Sequence, residues 1–341
     1  MGWAEFLVGD LGAAQEHLWA AAVRHAAEDD TGGLTWCFGI LCFTFLSQGR
    51  LTQAREVADS LLTRARVEGD PWVEGICTVL LAASLTSGGD VDAGEPLASE
   101  GLRHFDELGD TWGQVLARLV LGQAARMRGH HDEARSLLLS GLALSRGVTY
   151  VGEDARLLAE LAGLEADSGH PDAAVRRARA ALAMVRAGLG DHDTGLRALV
   201  LLAELAGRAG DRSGAQLLLE EAVATHEAGP APESWHQANA ALALVLLERG
   251  DVAGARTLLE AAAAGPGEGV RTAVAVARAE AALAVHDGRP GDARRTLTAA
   301  LDRDGGNGLV PLSPLRRDLD ALGADGERIS GRTSGRPTWP T

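Results

Sequence analysis

Apolar and small residues recur along this chain in columns about 40 residues apart, interrupted by short polar turns. A Gly followed by Asp, Arg or His stands at Gly9-Asp10, Gly49-Arg50, Gly89-Asp90, Gly129-His130, Gly169-His170, Gly210-Asp211, Gly250-Asp251 and Gly288-Arg289, at spacings of 38 to 41. Seven residues before each Gly the side chain is small: Gly2, Cys42, Ala82, Gly122, Ala162, Ala203, Ala243 and Ala281. Five residues beyond it the column reads Ala14, Ala54, Gly94, Ala134, Ala174, Ala215, Ala255 and Ala293. Twelve beyond, Ala21, Leu61, Gly101, Gly141, Ala181, Ala222, Ala262 and Ala300 are small in all but one case. Small side chains let two helix axes approach closely, so these columns predict the seam of a helical hairpin. The Gly supplies the positive φ that ends the first helix and turns the chain into the second. Leu41, Leu81, Leu121, Leu161, Leu202 and Leu242 stand just before the first small column and fill the space between consecutive hairpins.

Each unit therefore reads as helix A, a turn at Gly, helix B and a short link. Several A helices open on a start signal, as in Asp70-Pro71-Trp72, Asp110-Thr111-Trp112-Gly113-Gln114 and Ser234-Trp235-His236-Gln237. Asp can cap the free amides, Pro suits the first turn, and Thr111/Gln114 and Ser234/Gln237 have capping-box spacing. Aromatics at 4% and few β-branched runs agree with helix throughout, so the expected fold is all-α: a right-handed α-solenoid of about eight helix-turn-helix repeats.

The leucine and small residue, the Gly-Asp turn and the later small positions resemble the tetratricopeptide repeat (TPR), lengthened here from the usual 34 residues to about 40. The helix starts at Gly69-Asp70-Pro71-Trp72-Val73-Glu74 and Gly109-Asp110-Thr111-Trp112-Gly113-Gln114 resemble repeats at the C-terminal end of actinobacterial LuxR-type and SARP-type transcription regulators. The resemblance implies a non-catalytic binding module, the sensory or docking region of a bacterial regulator, which takes a protein, peptide or small effector in its concave groove. The alternative is a free-standing adaptor. No Walker lysine and no basic recognition helix is present, because the chain contains no lysine and its Arg pairs are isolated.

The solenoid is expected over 1–301, a short capping helix over 302–322 from Ser313-Pro314, and a disordered Gly/Ser/Pro/Arg tail over 323–341. Gly2 already occupies the small column of helix A, so the first repeat is incomplete, as in the C-terminal portion of a longer protein or a short cap. Trp3, Phe6 and Leu7 should then lack their usual upstream cover.

A net charge of −15 argues against direct nucleic-acid binding. The absence of a basic n-region or of an apolar run of about 20 residues argues against a secretory signal or a span, so a cytoplasmic protein is expected. Cys37, Cys42 and Cys77 lack paired spacing and read as buried thiols, and the histidines show no ligand pair. No catalytic, cofactor-binding or metal site is expected, and oligomerisation is left open.

In the family, helix A lines the concave surface. Carried over by position, one column is Trp36, Ile76, Leu116, Arg156, Arg197, Gln237 and Ala275, and two more contain Phe43, Gln123 and Glu204, then Arg208. Helical spacing puts the three columns on one face. The groove candidates are thus Trp36, Phe43, Leu116, Gln123, Arg156, Arg197, Glu204, Arg208 and Gln237: apolar in the early repeats, charged in the later ones. Such a groove suits a protein or peptide with an apolar end and an acidic segment. The competing account is that the arginines satisfy local acids such as Glu160 and Glu204.

Overall fold

The structure, a computed structural model, describes residues 1–146, 152–226, 229–302 and 308–329. Its helices form eight consecutive hairpins: α1 (Gly2–Val8) with α2 (Leu11–Ala27), α3 (Thr31–Ser47) with α4 (Leu51–Glu68), α5 (Pro71–Ser87) with α6 (Val91–Leu108), and α7 (Thr111–Met127) with α8 (His131–Ser145). There follow α9 (Glu153–Asp167) with α10 (Pro171–Arg186), α11 (His192–Arg208) with α12 (Arg212–Ala224), α13 (Glu233–Arg249) with α14 (Val252–Ala263), and α15 (Val270–His286) with α16 (Pro290–Asp302). A 3-10 turn, Val310–Leu312, leads into α17 (Ser313–Ile329), which runs past the expected end at Leu322. Residues 330–341 of the expected tail lie outside the described residues. Among the described residues there is no strand, and no helix is long and apolar enough to cross a membrane.

All eight turn glycines are left-handed, with φ from 69° at Gly49 to 95° at Gly89. The residue after the Gly donates its N–H five positions back, as Asp90 does to Leu85 (3.0 Å) and His130 to Ala125 (2.9 Å), which ties off helix A before helix B starts. Asp then caps the next amides: the side chains of Asp10, Asp90, Asp211 and Asp251 accept from Ala13, Ala93, Gly214 and Gly254 at 2.8–3.1 Å. Asp70 caps α5 ahead of Pro71, as expected. The capping boxes are not as expected. Asp110 is the N-cap of α7, so Thr111 is already helical and Gln114 instead reaches the Phe105 carbonyl. Pro232 precedes α13, which places Ser234 inside the helix.

The small columns form the seam. Cys42, Ala82, Ala162, Ala243 and Ala281 are fully buried, as are Ala14, Ala54, Ala134, Ala174 and Ala293. The third column is buried at Leu61, Gly101, Gly141, Ala181, Ala222 and Ala262 and half-buried only at its two ends, Ala21 and Ala300. The leucine column is buried throughout, from Leu41 to Leu242. Burying one such leucine contributes about 1.5–3 kcal/mol, so six of them make the inter-hairpin packing a main source of stability.

An open solenoid, in which each repeat touches only its neighbours, is not what forms. The close approach allowed by the small seams winds the array tightly enough for successive turns of the superhelix to touch. α1 packs on α11, five hairpins later, where Gly9 faces the His192 ring. The backbone N–H and hydroxyl of Thr52 both donate to Glu268 Oε2, at 2.7 and 2.8 Å. Val91, Ala124 and Met127 share a core with Leu309, Leu312 and Leu315 ahead of and within α17. In the first hairpin Phe6 is 3% exposed, clustered with Leu11 and Ala14 and stacked with Trp3 at 5.4 Å.

Candidate functional site

Closure turns the concave face into the wall of an internal lumen. Three adjoining clefts make it up, all lined mainly by A helices. Near the N-terminus lies an aromatic cleft of about 490 Å³ walled by Trp3, Trp36, Ile40, Phe43, Trp72, Ile76, Leu80 and Trp112, with Asp110 and Glu153 at its edge. Phe43 and Leu80 are shared with a central cleft that continues past Leu116, Gln123, Arg156, Glu160, Asp191 and Arg197. Gln123 and Arg197 in turn border a third, with Glu233, Gln237 and Arg271.

In the aromatic cleft Trp72 and Trp112 stack at 6.0 Å and 16°, and Phe43 meets Trp112 at 6.5 Å. Each indole N–H is anchored by a carboxylate of the following repeat: Trp72 donates to Asp110 Oδ2 (3.2 Å) and Trp112 to Glu153 Oε1 (3.1 Å). Asp110 is also satisfied by the Gly113 amide. Glu153 is 4% exposed, and its second oxygen, Oε2, has no hydrogen-bond partner among the described residues. A buried, half-satisfied carboxylate is costly and uncommon in a folded core.

The central cleft is an ion-pair network. Glu160, 3% exposed, accepts from Arg126 (3.0 Å), Arg197 (3.2 Å), Arg271 (3.4 Å) and the Gln123 amide (2.9 Å). Burial alone would favour its neutral form, but the Arg271, Arg126 and Arg197 guanidinia outweigh that and hold the carboxyl far below the usual glutamate range. Burial likewise opposes the charge of Asp191, yet the Arg156 guanidinium at 2.8 Å and the Thr194 amide and hydroxyl bring its pKa down to about 2. Arg156 also lies over the Phe43 ring, 5.7 Å from its centroid. Arg126 holds Asp167 at 2.7 Å and Arg197 holds Asp193 at 2.9 Å.

Of the positions expected in the groove, Trp36 and Phe43 wall the aromatic cleft, and Phe43, Leu116, Gln123, Arg156 and Arg197 line the central one. Gln237 lines the third and donates to Thr272. Glu204 and Arg208 line none of the three; both are exposed, 3.9 Å apart on successive turns of α11. Arg156 and Arg197 do not stand free for a partner's carboxylates. Each is engaged by acids of the fold, because wound A helices bring Asp191, Asp193 and Glu160 within reach. The lumen in fact holds Asp110, Glu153, Glu160, Asp167, Asp191, Asp193 and Glu233 against Arg126, Arg156, Arg197 and Arg271.

Sequence reasoning passed over Trp72 and Trp112 as wall residues, although their 40-residue spacing marks them as equivalent. Glu153, Arg126 and Arg271 carried no signal, since their partners come from 34 to 111 residues away. Among the described residues no group of His, Cys, Asp and Glu is arranged to hold a metal ion.

No protein-family model matches the chain, and no curated protein sequence matches it. Among solved structures it is similar to NprR in complex with its cognate peptide NprX, at 14% identity and a TM-score of 0.60 over 95% of each chain. It is also similar to the apo form of the quorum sensor NprR from B. thuringiensis, at 13% identity and 0.56 over 94% of this chain and 95% of that one. A Rap protein complexed with competence and sporulation factor matches at 13% identity and 0.57, over 86% and 75%. At such identities the likeness speaks for the fold, and the fold is an array of TPR-type helical hairpins.

Proposed function

We propose that this chain is a TPR-type binding module that receives a segment of a protein or a peptide in its lumen, and that it serves as the sensory or docking region of a bacterial transcription regulator. The observation that carries the reading is the aromatic cleft. Trp36, more than half exposed, sits with three further tryptophans around about 490 Å³ of open space on the concave wall. Exposed aromatics around a cavity of that size provide a binding surface with large apolar area and little conformational entropy to lose. Two of the similar structures, NprR with NprX and Rap with competence and sporulation factor, are complexes of TPR-type coils, which supports the peptide reading. The acidic segment first expected of the partner is disfavoured, since the arginines that would hold it are already paired.

The test is site-specific photocrosslinking in the native host. A photoreactive phenylalanine analogue at Trp36 should yield discrete adducts, whereas the same probe at Leu217, exposed on α12 outside the lumen, should not. Equal adduct patterns at the two positions, or none at Trp36, would sink the reading. The regulator context is checked separately by transcript profiling of a deletion strain, in which a defined gene set should change.

A further inference from the structure

The aromatic cleft has a chemistry of its own. Its walls are π faces: Trp72 and Trp112 stacked together, Phe43 tilted against Trp112, and Trp3 and Trp36 across the opening. Among the described residues its charged lining is two carboxylates, Asp110 and Glu153. Asp110 is fully used by Trp72 and the Gly113 amide. Glu153 is not: Oε1 accepts from the Trp112 indole, while the buried Oε2 lacks a donor among the described residues. A water-excluded carboxylate oxygen without a partner, set in an aromatic wall, offers its missing hydrogen bond to whatever brings an N–H into the cleft.

We infer that this cleft binds an organic cation, an amine or guanidine group on an apolar body, with the charge against the tryptophan faces and one N–H donated to Glu153 Oε2. The fold already shows the first half of this chemistry, for the Arg156 guanidinium lies 5.7 Å over the face of Phe43. The Arg156 guanidinium also acts on Glu153 through space, but its hydrogen bond goes to Asp191 at 2.8 Å, which leaves Glu153 Oε2 open to a second donor. An anion would meet two carboxylates, which repel it. A neutral apolar group would fill the space and leave Glu153 Oε2 unsatisfied. The cation can arrive as a free amine or as the basic side chain of a bound peptide, so the inference does not depend on a protein partner.

The experiment follows tryptophan fluorescence, since four of the seven tryptophans line the cleft. The free-amine arm titrates 2-phenylethylamine against its neutral isostere 2-phenylethanol. The peptide arm titrates acetyl-Leu-Arg-Phe-amide against the citrulline analogue. In each pair the cation should bind at least about tenfold more tightly, the usual worth of one charge-assisted hydrogen bond. A preference in only one arm identifies the source. Glu153→Gln should abolish the preference, because the amide presents its own donor to the ligand and has no charge. Trp36→Ala, a change at an exposed position that leaves the core intact, should weaken both cations while circular dichroism stays helical. Equal binding of cation and neutral isostere in both arms overturns the inference, as does a preference that survives Glu153→Gln or an absence of saturable binding by either cation. None of these outcomes touches the crosslinking result at Trp36, so the two readings fail separately.

Discussion

Glu160 is the point at which the wound coil is most exposed to a single change. It sits on α9, with Arg126 on α7, Arg197 on α11 and Arg271 on α15, so one carboxylate links four A helices, one of them three hairpins away. Replacing it by Gln keeps the shape but leaves three guanidinia facing a neutral group. Removing one partner of a buried ion pair costs about 3–5 kcal/mol. Two circumstances reduce that here: Arg197 and Arg271 are 34% and 33% exposed, and Arg126 and Arg197 retain Asp167 and Asp193. The expected loss is about 2–4 kcal/mol at neutral pH.

The pH dependence gives the sharper signature. The folded-state pKa of Glu160 is depressed below its ordinary value of 4.5, so its contribution is fully present above that value and is lost as pH falls below it towards the folded value. Urea unfolding followed at 222 nm should therefore show wild type losing stability on acidification below about pH 4.5, with Glu160→Gln losing clearly less over the same interval. The reasoning is refuted if the variant unfolds at the wild-type urea concentration at neutral pH, or if the two acid limbs run parallel.

The seam and the thiols give two further expectations. Ala134→Leu and Ala215→Leu place a larger side chain where the existing one is 0% and 4% exposed, and each should destabilise by about 1–3 kcal/mol in thermal unfolding; unchanged melting in both would mean the hairpins do not meet there. Burial pushes the thiol of Cys77 up to about 12 and that of Cys42 higher still, and Cys37 is raised for the same reason. Ellman's reagent at about pH 8 should therefore find no fast thiol in the native protein and all three after unfolding; a fast native thiol would contradict the packing of α3 and α5.

What the sequence made legible is what the period encodes. The glycines announced the turns because only a residue without Cβ takes φ near 80° cheaply, and the alanine columns announced the seam because helix contact demands small residues at fixed registers. Trp36 is exposed and Phe43 half-buried, both on the wall of the aromatic cleft. The closure of the coil was not legible. Its contacts join unlike residues at unlike registers, Gly9 to His192 and Thr52 to Glu268, and a repeat period carries no information about what lies a full superhelical turn away. Without closure there was no reason to pair Arg271 with Glu160, 111 residues apart. The anchoring of Trp72 and Trp112 was hidden for a related reason: their acceptors lie 38 and 41 residues on, in the next repeat's helix start, where Asp110 is read as a cap and Glu153 as an ordinary first-turn acid.

Closure also changes which experiments on the arginines are informative. In an open groove, Arg156→Glu with Arg197→Glu would remove a partner's anchor and leave the array standing. In the wound coil the same double change puts one new carboxylate against Asp191, where Arg156 now stands at 2.8 Å, and another between Asp193 and Glu160, where Arg197 stands at 2.9 and 3.2 Å. Like charges at such distances in a crowded lumen repel strongly, so lost binding would be indistinguishable from a loosened coil. Removing charge in pairs avoids the confusion: Arg156→Gln with Asp191→Asn takes away the cation beside Phe43 together with the anion that holds it. Because the pair is internally neutral, its removal disturbs Glu153, on which Arg156 also acts, less than removal of Arg156 alone would. A ligand preference that survives the paired change does not come from the arginines, whereas one that is lost with it assigns recognition to them instead of to the tryptophans and Glu153.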